Sequence, residues 1–229
     1  MLKGGFFIQI TIDGPAGAGK STIAKRIAEI LDILYLDTGA MYRAVALKAI
    51  REGIDTKDEV KLSSLVENID LRVEYFERKQ HIFLDDEDVT DKIRTPEISI
   101  GASDVSAVKS VRLKMVELQR KIAENNSLVM DGRDIGTYVL PDARFKFFLT
   151  ASVDERARRR YLEQINKGIS NVSFEEVKKD IEYRDRNDST RAFAPLAKAD
   201  DAIEIDTTTM TIEEVVDKII SIIRSSEKA

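Results

Sequence analysis

The chain has 229 residues, 43% of them hydrophobic and 34% charged, and its net charge of −5 argues against a general nucleic-acid-binding surface. It has no cysteine and one histidine, which excludes disulfides, thiolate metal sites and imidazole clusters. Because it lacks a signal-peptide pattern and any apolar run of the ~18 residues that a membrane-spanning helix needs, we expect a cytoplasmic protein.

Strand and helix patterns alternate along most of the chain, which predicts a parallel sheet covered by helices. Short, nearly continuous apolar runs predict strands that are buried on both faces, at 6–12, 34–36, 127–131, 145–149 and 202–206. Amphipathic segments predict helices at 20–31, 40–52, 57–67, 108–125, 153–168, 173–185 and 211–225. The last helix begins with a capping-box-like Thr-Ile-Glu-Glu sequence.

Residues 14–22, GPAGAGKST, follow the first predicted strand and match the pattern of a phosphate-binding loop, or P-loop. Its backbone N–H groups and the following helix N-terminus would point at one phosphate of a nucleoside triphosphate. We expect Lys20 to contact the β- and γ-phosphates and Ser21 to bind Mg²⁺. The alternative is a glycine-rich turn that only connects a strand to a helix, which accounts less well for the spacing and both flanks.

A second cluster, DTGAMYR at 37–43, follows the second predicted strand, where ligands collect in an open α/β sheet. Arg43 can hold a phosphate through its planar guanidinium, and Tyr42 can stack on a ring. The alternative for Arg43 is a solvated position on a helix surface.

Residues 71–84 alternate with a period of two around the polar link 77–80, which predicts an antiparallel hairpin. We interpret 69–105 as an inserted subdomain. The alternative places both strands in the main sheet.

A third cluster, DGRDIG at 131–136, closes the predicted strand 127–131. An aspartate at this position, Asp131, can hold Mg²⁺ or its water, as the second acid of P-loop enzymes does. Arg133 would then lie where charge accumulates during transfer, and Asp134 can accept a hydrogen bond from a substrate amino group. Ordinary charged turn residues are the alternative.

The fourth cluster, RDRNDSTR at 184–191, follows a predicted helix and contains three arginines among acidic and turn-forming residues. It is either a solvated loop or a mobile lid whose cations arrive on closure. Four arginines lie between 156 and 160, and two of them have an acidic residue at i,i+4 spacing, Asp154 for Arg158 and Glu155 for Arg159. We therefore expect most of this group on a salt-bridged helix face, from which one arginine can reach ATP.

The chain has no Asn-Lys-x-Asp motif, which disfavours a GTPase, and no acidic pair or histidine that would serve as a base. A phosphate monoester is already an anion and needs no base, so the arginines favour a kinase whose acceptor is itself a phosphate.

With these motifs the chain resembles the bacterial cytidylate kinases, within the nucleoside-monophosphate kinase family. The resemblance rests on ITIDGPAGAGKST (10–22), LDTGAMYR (36–43), EDVTDKIRTPEIS (87–99), VMDGRDIGTYVLPDA (129–143) and RAFAPL (191–196). It implies an α/β P-loop three-layer fold with a five-stranded parallel sheet, a small inserted antiparallel β subdomain and a helical lid. In that fold 1–229 is a single kinase domain, 69–105 the inserted monophosphate-binding subdomain and 152–192 the lid region.

The resemblance also implies transfer of a phosphoryl group from ATP, with Mg²⁺, to CMP or dCMP. We expect a monomer without nucleic-acid or membrane partners. The implied catalytic residues are Lys20, Arg133, Arg186 and Arg191, and the implied metal ligands are Ser21 and Asp131. The implied ATP-binding residues are Gly14, Pro15, Ala16, Gly17, Ala18, Gly19, Lys20, Ser21, Thr22 and Arg159. The implied substrate-binding residues are Thr38, Tyr42, Arg43, Ser103, Arg112, Arg133, Asp134, Arg184, Asp188 and Arg191.

Within the substrate set, the resemblance assigns the cytosine edge to Ser103, Arg112 and Asp134. Cytosine N4 donates and suits a carboxylate, whereas uracil presents an acceptor at the same place. Thr38 stands where the family often has Ser, and it keeps the hydroxyl. Two other hypotheses stay open: a P-loop kinase for another small acceptor, such as shikimate or dephospho-coenzyme A, and an ATP-gated binding protein without turnover.

Overall fold

The computed structural model describes residues 7–166, 168 and 173–226. Residue 6 of the predicted strand 6–12 and residue 167 of the predicted helix 153–168 lie outside this range. The strands are β1 (Gln9–Asp13), β2 (Leu34–Asp37), β3 (Leu71–Phe76), β4 (Lys79–Leu84), β5 (Glu87–Asp88), β6 (Leu128–Gly132), β7 (Phe145–Thr150) and β8 (Ile203–Asp206). The helices are α1 (Lys20–Leu31), α2 (Thr38–Arg51), α3 (Glu59–Glu67), α4 (Pro96–Ala107), α5 (Lys109–Ala123), α6 (Val153–Asn166), α7 (Phe174–Thr190) and α8 (Ile212–Ser226).

Five strands form one parallel sheet in the order β2-β6-β1-β7-β8, which confirms the predicted fold class. The strands β3, β4 and β5 form a separate antiparallel sheet, so the alternative that placed the hairpin in the main sheet is wrong. The hairpin nevertheless contacts the main sheet edge, because the Gln80 side chain accepts from the Asp37 backbone N–H at 2.7 Å and donates to its carbonyl at 3.2 Å.

The main sheet is the middle of three layers, and each of its faces has an apolar core. On one face Ile23 and Ile27 of α1 and Val215 and Ile219 of α8 pack in the same core as Phe147. The core of the other face is built mainly by α2, α3, α4 and α5, together with the inner side of the small sheet. This burial on both faces explains the nearly continuous apolar sequences of β1, β2, β6 and β7. The expectation of burial on both faces is wrong for the edge strand β8, in which only Ile205 is buried.

Two helices, α4 and α7, depart most from the predicted pattern. α4 was not predicted, although Thr95 caps it by accepting from Ile98 N–H at 3.2 Å and Pro96 occupies its first position. α7 continues to Thr190 instead of ending at 185, so residues 184–190 are helical and do not form a loop. At the end of this helix the Thr190 hydroxyl donates to the Arg186 carbonyl one turn earlier, at 2.8 Å, so this side chain bonds within the helix.

Among the described residues, no helix combines the length and the apolar character that crossing a membrane requires.

Candidate active site at the carboxyl edge of the sheet

The carboxyl ends of β1, β2 and β6 meet at one edge because these strands are parallel and in register. Asp131 lies opposite both Ile12 of β1 and Asp37 of β2. A cleft of about 2040 Å³ opens at this edge, and basic side chains outnumber acidic ones among its lining residues. The chain as a whole is negative, so the positive charge is concentrated where a phosphate would bind.

The P-loop leaves β1 and curls in a way that depends on its glycines. Gly17 and Gly19 have φ values of 77° and 84°, which are left-handed conformations that side chains disfavour. A Cβ on Gly14 would lie 2.0 Å from the Leu149 carbonyl oxygen, so the close approach of β7 also requires glycine there.

Lys20 begins α1 and reaches back across this loop, where its Nζ donates to the Pro15 carbonyl at 2.7 Å. Burial and the neighbouring Arg133 lower the pKa of Lys20 to about 7. Among the residues that the structure describes, no carboxylate lies within hydrogen-bonding distance of this amine, so an incoming polyphosphate would not have to displace one.

Ser21 and Asp131 meet on the other side of Lys20. The Ser21 hydroxyl donates to the Asp131 carboxylate at 2.9 Å, and the Tyr35 hydroxyl donates to its other oxygen at 2.8 Å. Burial and the nearby Asp37 raise the pKa of Asp131. Ser21 offers a hydroxyl oxygen, and Asp131 offers a carboxylate that lies near the negative charge of Asp37. Mg²⁺ prefers oxygen ligands of this kind, so these residues fit the ion. Within the described residues, no group of three or more His, Cys, Asp or Glu side chains could hold a metal ion, so other ligands, such as phosphate oxygens, would have to complete the coordination.

Thr38 and Arg43 lie at the start of α2, next to β6. The Thr38 hydroxyl donates to the Asp131 carbonyl at 2.7 Å. Arg43 pairs with Asp37 at 2.7 Å, and Arg94, which the sequence analysis did not select, pairs with the same carboxylate oxygen at 2.8 Å. Although burial alone would raise the pKa of Asp37, these two arginines lower it.

Asp134 forms the centre of a deeply buried group. Its two carboxylate oxygens accept separately from Arg112 and from Arg191, the latter at 3.2 Å. The Arg112 guanidinium also lies over the Tyr42 ring, 5.4 Å from its centroid. The structure thus brings together four predicted substrate residues that are up to 149 positions apart in the chain.

Asp188 of α7 forms a second centre. Its carboxylate accepts from Arg133 at 2.7 Å and from the Ser103 hydroxyl of α4 at 3.1 Å. Burial opposes ionisation of Asp188, but Arg133, Arg184 and Arg191 together lower its pKa. Burial and Arg133 lower the pKa of Arg184 to about 10. We call Arg43, Arg112, Arg133, Arg184 and Arg191 the arginine cluster.

Two predicted residues lie apart from the arginine cluster. Arg186 is exposed and is not among the residues that line the cleft, so the structure does not bring this predicted catalytic residue to the site. Arg159 does line the cleft, where it pairs with Glu155 at 2.8 Å and donates to the Thr207 carbonyl at 2.6 Å.

The loop that follows β8 was missed by the sequence analysis. Thr207, Met210 and Ile212 line the cleft on the same side as Arg159. The rule that ligands bind beyond strand ends would have selected this loop, because β8 ends at Asp206 in the same sheet.

Asp13, the last residue of β1, joins the two motif segments. Its carboxylate accepts from the backbone N–H groups of Ile135 and Gly136, at 2.8 and 2.7 Å. These amides begin the π-helical turn Ile135–Val139, directly after Arg133 and Asp134. The P-loop strand therefore holds the turn that carries two of the predicted substrate residues.

A family model described as cytidylate kinase matches residues 10–225. The chain belongs to the cytidylate kinase family. A cytidylate kinase from Limosilactobacillus reuteri (strain DSM 20016) is 52% identical over 227 residues, which are 99% of this chain and 98% of the relative. One from Clostridioides difficile (strain 630) is 54% identical over 212 residues, 93% of this chain and 96% of the relative. As a member of the family the chain is a kinase, a transferase with a nucleotide-binding P-loop, and the family implies use of ATP.

Among solved structures, an uncharacterized protein from Eubacterium ventriosum ATCC 27560 has a TM-score of 0.52 and 16% identity. The match covers 95% of this chain and 99% of the other. At this identity the likeness supports the fold alone.

Proposed function

We propose that this protein transfers the γ-phosphoryl group of ATP to CMP or dCMP, giving CDP or dCDP and ADP. The observation that carries the proposal is the buried pair of Asp134 with Arg112, a member of the arginine cluster. This pair offers a hydrogen-bond acceptor and several donors at the same place, which matches the N4 amine and the N3 and O2 acceptors of cytosine. Family membership supports the same substrate class.

Recognition of the base would distinguish cytosine from uracil through Asp134. Uracil has a carbonyl oxygen where cytosine has its amine, so a carboxylate would face an acceptor and repel it. Asp134 is 3% exposed, and an unpaired contact there would not be relieved by water. Ser103 and Asp188, which are hydrogen-bonded to each other, would lie near the sugar or the base.

In the transfer step, an oxygen of the acceptor phosphate forms a bond to the γ-phosphorus, and the bond from that phosphorus to the β,γ-bridging oxygen breaks. The acceptor oxygen is already anionic, so no side chain has to remove a proton. Arg43, Arg133 and Arg191, together with the Thr38 hydroxyl, would hold the acceptor phosphate, and the arginines would reduce repulsion between the two anions. Lys20 would stabilise the charge that develops on the phosphoryl group and on ADP.

The donor nucleotide would bind with its phosphates on the P-loop and its adenine between Arg159 and the loop after β8. Ser21 and Asp131 would hold Mg²⁺, which when bound supplies charge neutralisation at the phosphates. The protein side chains orient the two nucleotides and exclude water from the space between them.

A rate assay with each of the four common nucleoside monophosphates tests the proposal. We expect ADP formation with CMP or dCMP to exceed that with AMP, GMP and UMP in kcat/KM. If AMP or GMP is the best acceptor, the assignment of the base site is incorrect. ATP binding without transfer to any acceptor would instead favour a binding protein.

A monomeric, cytoplasmic enzyme with 69–105 as the monophosphate-binding subdomain and 152–192 as the lid region completes the proposal. Residues 167 and 169–172 of that lid region lie outside the described range. Light scattering after size-exclusion chromatography, in the presence and absence of nucleotides, tests the oligomeric state.

A further inference from the structure

Helices α6 and α7 both contact the P-loop through hydrogen bonds to the backbone of Ala16. The Asp185 carboxylate of α7 accepts from the Ala16 backbone N–H at 3.1 Å, and its other oxygen accepts from Arg156 of α6 at 2.5 Å. Arg156 closes the ring by donating to the Ala16 carbonyl at 2.9 Å. Both backbone polar groups of one P-loop residue are thus bonded to side chains of these two helices.

The neighbouring residue shows that this contact is close. A Cβ built on Gly17 would lie 3.1 Å from the Arg156 Cβ and 3.4 Å from the Ile181 Cδ1. Both helices therefore pack against the loop backbone itself. Arg156 is 4% exposed, and its Nε donates to the Ala151 carbonyl at 2.9 Å, so its side chain is fixed at the end of β7.

The same face of α7 also holds the acceptor side of the cleft. Asp188 follows Asp185 by three residues, and residues at this spacing lie on one helix face with a rise of about 4.5 Å between them. Asp188 pairs with Arg133 and accepts from Ser103. One helical turn therefore contacts the donor loop through Asp185 and the acceptor residues through Asp188.

We propose that Asp185 is a positioning residue for phosphoryl transfer, which fixes the P-loop relative to the acceptor arginines through α7. This inference rests on the proposed function. Asp185 acts through Ala16 and Arg156 and does not contact the reacting atoms. In-line transfer depends on the separation of the two phosphates, and a misplacement of about 1 Å costs roughly 10²-fold in rate.

The test compares Asp185→Asn with the wild type in steady-state assays. Asparagine keeps the size of the side chain, but its NH₂ group cannot accept a hydrogen bond. The contact with Arg156 or the contact with the Ala16 N–H, whichever faces the NH₂ group, is therefore lost. We expect kcat to fall by roughly 30- to 100-fold, while both KM values and the dissociation constant of ADP change less than about threefold. Asp185→Glu keeps the carboxylate, and we expect it to recover at least about a fifth of the wild-type kcat.

Glu182→Gln is the matched control, because Glu182 is exposed on the same helix. Its kcat should equal that of the wild type. A second variant, Arg156→Lys, removes the guanidinium fork from the other side of the contact. If Asp185 and Arg156 act through Ala16 together, the double variant loses less activity than the product of the two single losses.

The proposal is overturned if kcat of Asp185→Asn stays within threefold of the wild type, or if ADP binding weakens by the same factor as kcat. It is also overturned if the two single losses multiply. If Asp185→Asn does not fold, the same kcat and ADP-binding criteria are applied to Arg156→Lys. All ratios are measured with the acceptor that the wild type uses best, so a wild type that prefers another nucleotide contradicts the proposed function and leaves this test intact.

Discussion

The P-loop and the arginine cluster lie on the same sheet edge, yet they present positive charge to a phosphate in different ways. The P-loop is nine consecutive residues, and its Lys20 donates to a backbone carbonyl of the loop. The arginine cluster comes from α2, α5, α7 and the residues that follow β6 and α7, and four of its members have carboxylate partners: Arg43 with Asp37, Arg112 and Arg191 with Asp134, and Arg133 with Asp188.

The P-loop and the arginine cluster are stabilised in different ways when no anion is bound. A loop of backbone amides costs little to keep ready, since N–H groups can be solvated when no phosphate is bound. Several buried guanidinium groups without partners would repel each other, and each would carry a desolvation cost. The carboxylate partners offset that cost, and an acceptor phosphate would replace or share them.

The largest expected effect is that of replacing Lys20 in the P-loop. Lys20→Met should lower kcat by roughly 10²- to 10³-fold, because it removes a charge that is aimed at the developing transition-state charge. Steady-state kinetics with Lys218→Met, an exposed substitution on α8, as the control checks this. A loss below about tenfold would mean that Lys20 does not act on the transferred group.

Among the carboxylates that pair with the arginine cluster, Asp134 gives the next prediction. Asp134→Asn should lower the preference for CMP over UMP by about tenfold. An amide can turn its NH₂ toward uracil O4, which removes the repulsion that the carboxylate creates. The ratio of kcat/KM for the two acceptors measures this, with Asp142→Asn as an exposed control. Because Asp134 also neutralises Arg112 and Arg191, thermal unfolding must be measured in parallel. An unchanged ratio would place the base elsewhere.

A third prediction concerns Asp13, which links the two regions. Burial raises the pKa of Asp13 from 3.8 to about 7, against the lowering effect of its two backbone N–H bonds. Between these values the folded protein holds a proton that the unfolded chain has released, so this group makes the free energy of unfolding fall as pH rises.

Asp13→Asn removes that titration. Relative to the wild type, the free energy of unfolding of Asp13→Asn should rise between pH 4 and 7, by up to about 1.4 kcal/mol per pH unit. Urea titrations at several pH values measure the difference. Parallel pH profiles for the two proteins would show that Asp13 is ionised throughout this range.

The smallest expected effect concerns Arg186, the lid arginine that lies outside the cleft. Arg186→Gln should leave kcat within about twofold of the wild type, since exposed charges contribute little at a distance. A loss above tenfold would restore the catalytic role that the sequence pattern predicts for it.

The same contrast explains what could be predicted from the sequence. The P-loop and the sheet were predictable because each depends on local order: nine residues in a fixed pattern, or a run of apolar residues between turns. The pairing of Asp134 with Arg191 could not be predicted because it depends on how α7 packs. The helical conformation of 184–190 could not be predicted because this segment contains residues that usually form turns. Arg94 was missed because its partner Asp37 is 57 positions away.

The paired carboxylates also bear on which anions the cleft admits. Asp37 and Asp188 are tethered beside their arginines, so their effective local concentration far exceeds that of any free small anion. Inorganic phosphate brings only its charge to this competition, whereas a nucleoside monophosphate adds the contacts of its base and sugar. We therefore expect free phosphate to inhibit the enzyme weakly, because it has to compete with the carboxylates for the arginines. A nucleoside monophosphate competes better, because its base and sugar add further contacts.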